Sequence, residues 1–543
     1  LLAKNATTPL GIWFDAISFT TIASKLAPTT VTESERMHVS KSPFSICNRT
    51  LSLHPPPAET LLLLTSRLLL SVYPQKKIKN SVSMPDFKSL RDSAVFTTAA
   101  HRNILPLIGG LTALGLASCV EAAPAFDSDS PWMLGDWNGT RTELAEKGYD
   151  FKVDYTGEMG SNLHGGYDHD RTARYSDQFG LGTHLDLQKI LGWDDAEFQL
   201  TITERSGNNI SNDRINDPRV GGFTSAQEVW GRGQTWRLTQ MWYQQKFLDE
   251  KLDIKVGRFG EGEDFNSFPC DFQNLAFCGS QVGNWAGDIW YNWPVSQWAL
   301  RVKYHLTPEL YAQVGAYEQN PSNLDRDNGF KLSGSGTQGA ILPVELVWTP
   351  KFNGLPGEYR AGYYYSSAHA TDVYKDSNGQ PAALSGEAYR SASSKHGVWL
   401  GLQQQVTSLA SDHSRGLSLF ANGTMHDKKT NAIDNYVQAG LVYKGLFDAR
   451  ARDDIGFAMA RVHVNPAYRK NAEATNQANA VFDYDNTSYL PPQDTEYSAE
   501  LYYGVHVTHW LTVRPNLQYI RHPGGVNEVD DALIGGIKVQ SSF

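Results

Sequence analysis

Leu533-Ile534-Gly535-Gly536-Ile537-Lys538-Val539-Gln540-Ser541-Ser542-Phe543 is the stretch that decides the fold. Leu533, Gly535, Ile537, Val539, Ser541 and Phe543 fall on one face of a strand, and Ile534, Gly536, Lys538, Gln540 and Ser542 on the other. Period-two alternation specifies a strand with one apolar and one mostly wet face. A closed membrane barrel needs such a strand at its seam, with the apolar side toward lipid. A β-sandwich strand with one wet face carries the same alternation. The rest of the chain has to separate the two.

The alternation recurs. Trp298, Leu300, Val302 and Tyr304 interleave with Ala299, Arg301, Lys303 and His305; Leu511, Val513, Leu517 and Tyr519 interleave with Thr512, Arg514, Asn516 and Gln518. Tyr359, Ala361, Tyr363 and Tyr365 oppose Arg360, Gly362 and Tyr364, and Leu200 and Ile202 oppose Thr201, Thr203 and Arg205. Several apolar faces carry an aromatic residue near one end, as an interfacial girdle requires. Short turns near 191–195, 249–250, 306–308, 351–357, 408–414, 446–453 and 509–510 alternate with long polar loops near 160–176, 207–235, 260–296, 320–340, 369–395, 426–434, 465–495 and 522–531. Up-and-down connection of these segments predicts an all-β, antiparallel transmembrane barrel of about 16 strands, wide enough for a water-filled channel. Leu134–Arg141 leads into a short helix over 142–147, stopped by Gly148.

The 543 residues carry a net charge of −10, and the mean hydropathy is −0.41. That value suits a barrel with polar loops as well as a water-soluble protein. The acidic balance argues against a nucleic-acid partner. Residues 1–83, rich in Ser, Thr and Pro, fit no domain and are expected to be a disordered upstream extension before Met84. Residues 84–122 read as a signal peptide with cleavage near Ala122. Leu116-Ala117-Ser118-Cys119 offers a rival lipoprotein pattern. Residues 123–148 are then a periplasmic segment with the short helix, and 149–543 the barrel.

The wet faces carry Arg205, Arg301, Lys303, Arg360, Arg514 and Lys538. A sugar entering a narrow pore loses hydrogen bonds to water, each costing about 1–3 kcal/mol if unreplaced. Arg, Asp, Glu and Asn replace them in pairs; the same lining would also favour anions. The longest loop, 260–296, follows the fifth strand and is expected to fold inward as the third outer loop. It carries Glu261, Glu263, Asp264, Asn266, Phe268, Trp285, Asp288, Trp290 and Trp293. Aromatic faces suit sugar C–H groups and polar neighbours suit hydroxyls. Cys270 and Cys278, close together in an exported chain, suggest a local disulfide rather than a metal pair.

Specific segments resemble the carbohydrate-selective porins of Gram-negative outer membranes, the OprB type. They are Leu134–Arg141, Val256-Gly257-Arg258, Glu263-Asp264-Phe265, Tyr291-Asn292-Trp293-Pro294-Val295-Ser296-Gln297-Trp298, Leu306–Tyr311, Tyr317–Pro321 and Leu355–Arg360. The resemblance implies a sixteen-stranded barrel passing glucose-like carbohydrates by facilitated diffusion, with arginines and acidic residues at its constriction. Arg205 is the best positional match and Arg258 the next, although its phase with Ile254 and Val256 points it outward unless a bulge intervenes. The expected channel-lining set is Arg205, Arg258, Glu261, Asp264, Asn266, Trp285, Asp288, Trp290, Arg301, Arg360 and Arg514. Expected partners are sugars, outer-membrane lipid and the barrel-assembly machinery, met through the strand ending in Phe543. A homotrimer and a monomer both stay open.

No cofactor or metal is expected. The cluster at 164–170 lacks a full ligand set, and Asp325–Gly329 lacks the further ligands of a calcium loop. The carboxylate pairs Asp194-Asp195 and Glu261…Glu263 lie in single turns rather than across a cleft, as a glycosidase requires. A secreted β-rich sugar-binding protein or hydrolase and an anion-preferring porin remain the alternatives.

Overall fold

The computed structural model describes residues 123–543 except Ser411. The expected extension at 1–83, the signal peptide at 84–122 and the lipoprotein cysteine Cys119 lie outside the described residues. Seventeen strands form one antiparallel sheet; one is the two-residue Lys351–Phe352 at a hairpin end, which leaves sixteen around the wall. We number these β1 (Tyr149–Gly166), β2 (Ala173–Asp186), β3 (Ala196–Gly207), β4 (Trp236–Phe247), β5 (Leu252–Phe259), β6 (Gln297–Thr307), β7 (Leu310–Gln319) and β8 (Gly339–Trp348). The second half is β9 (Leu355–Ser366), β10 (Lys395–Gln405), β11 (Gly416–His426), β12 (Ile433–Lys444), β13 (Asp454–Val464), β14 (Thr495–His506), β15 (Leu511–Arg521) and β16 (Asp530–Ser542).

Each strand pairs with its neighbour in sequence, and β1 pairs with β16 in the register Tyr155↔Ser541 and Met159↔Ile537. The sheet is therefore closed, which removes the sandwich alternative together with every free edge. Strands of about ten residues, tilted to the normal, are long enough to cross a bilayer. Among the described residues no helix is long and apolar enough to do so.

The alternation sorts as the sequence predicts. Leu300, Val314, Leu346, Leu400 and Leu517 are exposed on the outer wall, while Lys538, Gln518, Glu500 and Thr203 are buried on the inner one. Aromatic rings gather at the turn end of the wall, where Trp348 packs 5.5 Å from Tyr359 and 5.6 Å from Phe352. One boundary differs from expectation. The stretch 160–176 is mostly strand, leaving only 167–172 as loop. Asn162 and Ser176 are fully buried there: Asn162 donates to Gly165 O at 2.9 Å and Asp168 O at 3.1 Å within its own turn, and Ser176 Oγ accepts from Gln227 of loop 208–235 at 2.9 Å.

Ahead of the barrel, Asp136 accepts from Thr142 N at 2.9 Å and so caps the helix Thr140–Glu146. Arg141 on that helix donates to the main-chain oxygens of Phe543 at 2.8 Å and Phe151 at 2.6 Å. Its guanidinium also lies over the Trp132 ring at 3.9 Å. The segment thus holds both strands of the seam at their turn-side ends.

Candidate functional site

The third outer loop, 260–296, folds into the barrel because the inner wall offers it specific anchors. Trp290 packs edge-on against Trp399 at 5.5 Å and Tyr364 at 6.0 Å. Phe272 meets Tyr502 at 4.9 Å, and Trp285 lies 4.9 Å from Tyr436. Two buried wall carboxylates take the loop's main chain: Glu345 accepts from Asn266 N at 3.0 Å, and Glu500 accepts from Gln273 N at 2.9 Å and Asn274 N at 2.8 Å. Cys270 and Cys278 are joined by a disulfide that closes the intervening turn.

The second outer loop, 208–235, also turns inward. Gln227 donates to Glu158 O at 3.1 Å and Ser176 Oγ at 2.9 Å and accepts from Ile210 N at 2.9 Å. Glu158 on β1 accepts from Val229 N at 3.2 Å. Lys538 on β16 lies 3.3 Å from Glu158 and 3.1 Å from Glu228, so strand and loop share one ammonium.

Between the two loops and the wall lies a cavity of about 630 Å³. Arg205, Arg232, Glu228, Trp230 and Trp293 all border it. Gln178 Oε1 accepts from Arg205 Nε at 2.8 Å and from Trp293 Nε1 at 3.0 Å, which fixes both side chains. Arg205 Nη2 stands 3.9 Å from Glu228 Oε2. That is too long for a hydrogen bond, so donor and acceptor both stay free toward the cavity. Among the described residues, Arg232 reaches main-chain oxygens alone, Gly287 at 3.4 Å and Gly283 at 3.5 Å. Two forked donors, a carboxylate and an indole face are what a polyhydroxylated ring needs on entering a water-poor passage.

Several expected lining residues face protein instead. Arg258 keeps its outward phase at the rim, donating to Ser296 O at 2.6 Å and Lys331 O at 2.5 Å, so it fastens loop 320–338 rather than the path. Glu261 is fully buried, accepts from Tyr291 N at 2.9 Å and is pushed by burial up to about 8. Asn266 accepts from Gln281 N at 2.9 Å and organises the loop from within. Trp285 and Trp290 are the wall packing described above. Arg301 is paired with Asp253 at 2.9 Å and Asp264 at 3.5 Å, and Asp264 also holds Lys255 at 3.0 Å. These groups saturate one another. Asp288 is exposed and paired with Lys395.

Arg360 and Arg514 do point inward, on the turn side of the third loop. Arg514 lies 3.3 Å from Asp271, and Arg360 lies 2.8 Å from Glu358. Arg232, Glu228 and Trp230 were invisible to alternation because they sit in a loop. The available signal was a Trp between charged residues and the glycines Gly231 and Gly233, whose φ values of 118° and 97° let the chain turn back into the bore.

Residues 170–543 match the family described as carbohydrate-selective porin, OprB family. The chain belongs to that family. It is 68% identical over 435 residues to Porin B of Pseudomonas aeruginosa, covering 80% of this chain and 96% of the relative. It is 41% identical over 445 residues to the putative porin QuiX of Acinetobacter baylyi, covering 80% of this chain and 99% of that protein. The solved high-pH structure of Pseudomonas putida OprB superposes with a TM-score of 0.77 at 71% identity, covering 77% of this chain and all (100%) of that one. The protein is accordingly an outer-membrane porin for carbohydrate diffusion, and its family is one of channels.

Proposed function

We propose that this OprB-family porin selects glucose-sized neutral sugars at the cavity between the second and third outer loops, and carries out no chemical step on them. The observation that carries the reading is the 3.9 Å gap between Arg205 Nη2 and Glu228 Oε2. A sugar hydroxyl entering that gap accepts from the guanidinium and donates to the carboxylate, replacing the water it loses. Arg232 supplies a second fork across the cavity, and Trp293 a flat face for ring C–H groups. Cation and anion together give a neutral diol two complementary partners, whereas an anionic solute meets Glu228 as a repulsive neighbour.

Proteoliposome swelling tests the reading. Arg205→Met keeps length and removes the fork; glucose entry should fall about tenfold, the size of a charge-assisted bond. Glycerol entry serves as the measure of bore width. Glucose entry that matches the unaltered protein in both Arg205→Met and Arg232→Met would remove the cavity from the selection step. The same reading takes bilayer lipid as partner of the outer wall and the barrel-assembly machinery as partner of the β16 strand. A homotrimer against a monomer is read from the mass of the detergent-extracted particle.

A further inference from the structure

On the turn side of the third outer loop lies a second cavity, of about 800 Å³, inside the barrel. It is roofed by the loop segment 267–272 and floored by the turn-side ends of β8 to β12. Cys270 borders the constriction, and its neighbour Asp271 borders this cavity. Arg514 spans the two, donating to Gln540 on the constriction side and lying 3.3 Å from Asp271 on the other.

Its lining is a built polar and aromatic surface. Phe268 borders it, half-buried, with Phe420 behind it at a centroid distance of 5.1 Å. Arg360 is fixed from both sides, by Glu358 at 2.8 Å and by fully buried Glu345 at 3.2 Å. Glu358 keeps a 32% exposed side chain, so its second oxygen is free to accept. Gln403 also faces the cavity, and its amide makes no side-chain hydrogen bond among the described residues. A held guanidinium, an open carboxylate and a free amide beside a ring face form a preorganised hydroxyl-and-ring recognition set.

We propose a second carbohydrate subsite here, in which a neutral pyranose rests on Phe268 and is held through its hydroxyls by Arg360, Glu358 and Gln403. It deepens the porin reading above and rests on it. The subsite receives the sugar after the Arg205–Glu228 gap and gives the channel two stations in series.

The test is saturation-transfer NMR with methyl α-glucoside on the full chain in detergent micelles, irradiating aromatic protons. In the Arg205→Met protein, which weakens the constriction, saturable transfer to the sugar ring protons persists. Adding Phe268→Leu and Gln403→Leu, which keep bulk while removing ring and amide, should weaken the apparent affinity about fivefold, the effect of one neutral bond. Heat-shifted gel migration reports an intact barrel, and Phe268→Leu alone carries the test if the combined variant does not assemble. Transfer abolished by Arg205→Met alone, or unchanged by the Phe268 and Gln403 replacements, overturns the subsite and leaves the porin reading standing. Proteoliposomes of the unaltered protein that exclude glucose overturn that reading, and the subsite with it.

Discussion

Lys538 Nζ lies 3.1 Å from Glu228 Oε1, and neither Lys538 nor its second partner Glu158 has any exposed side chain (0% each). The same ammonium donates to the carbonyls of Cys270 at 2.9 Å and Phe272 at 3.0 Å. One side chain on β16 therefore joins β1, the second loop and the third loop. Gln273 of the third loop adds a second tie, its amide donating to Met159 O on β1 at 3.1 Å and to Ala226 O in the second loop at 3.0 Å.

Lys538→Met should consequently do two things. It leaves Glu158 and Glu228 facing each other without a counter-charge, a loss of about 3 kcal/mol for a broken buried pair. It also frees the disulfide-closed turn from the wall. The temperature at which the unheated gel band converts to the unfolded one should fall clearly, and single-channel conductance should become noisier. A conversion temperature equal to that of the unaltered protein would refute the anchoring role.

Glu228→Gln keeps shape and removes one negative charge from the cavity. Arg205, Arg232 and the Lys538 ammonium then dominate the local field. The reversal potential in a salt gradient across a planar bilayer should shift toward the anion limit. At 0.01 M salt, where the screening length is about 30 Å, the shift should be larger than at 1 M, where it is about 3 Å.

Arg141 offers a test of the seam. Arg141→Ala removes two donors to main-chain oxygens and the contact with Trp132 at 3.9 Å. Two bonds from a charged donor and one ring contact predict a loss of about 3 kcal/mol. Denaturant titration of the folded barrel in micelles reads this directly, and Arg141→Lys should recover only part because it lacks the fork.

Gly362 has a packing reason to lack a side chain. A Cβ there would come within 2.0 Å of the Trp399 ring, which donates to Glu345 at 2.7 Å. Gly362→Ala should push Trp399 away and disturb the Glu345 anchor of the third loop, at a cost of about 1–3 kcal/mol for overpacking. Tryptophan fluorescence and glucose swelling should change together.

At the outer surface, Asp217 joins the second loop to loop 465–494. It accepts from Arg219 at 2.6 Å and from Tyr484 Oη at 2.8 Å, and Arg219 stacks over the Tyr484 ring at 4.4 Å. Burial acts to raise the Asp217 carboxyl, but the Arg219 and Tyr484 hydrogen bonds outweigh it and hold the group below its ordinary value. A depressed carboxyl stabilises the fold above its unfolded pKa of about 3.9 and loses that contribution as pH falls through the folded value. The clasp should thus be intact from pH 8 down to about 4 and open only as pH falls further, through the depressed folded value. Protease nicking of loop 465–494 across that range should show it, and Asp217→Asn should be nicked at neutral pH.

Strand count and facing were legible in the chain because each wall strand is a two-sided solvent boundary. Leu300 against Arg301, or Ile537 against Lys538, states the phase without any knowledge of the partners. The alternation of short turns with long loops located the third loop at 260–296 with no error at either end, since Phe259 and Gln297 are the flanking strand residues. The constriction was legible only in part. Arg205 lies on a strand and inherits its direction from Thr203. Loop side chains have no such period, so Trp290 and Trp293 looked alike although one packs on Trp399 and the other borders the cavity. Glu228 depends on Lys538 of β16, far away in sequence, and Arg232 on Gly283 and Gly287 of the third loop. Arg258 shows the opposite limit: its outward phase was correct, and the family resemblance misdirected it.

The wall carboxylates Glu345 on β8 and Glu500 on β14 both grip the third outer loop, and they stand on strands six positions apart around the cylinder. A segment fastened to separated staves acts as a spoke. Lateral squeezing by the surrounding membrane would have to compress that spoke before the circular cross-section could flatten into an ellipse, so the aperture keeps its dimensions while the bilayer around it fluctuates.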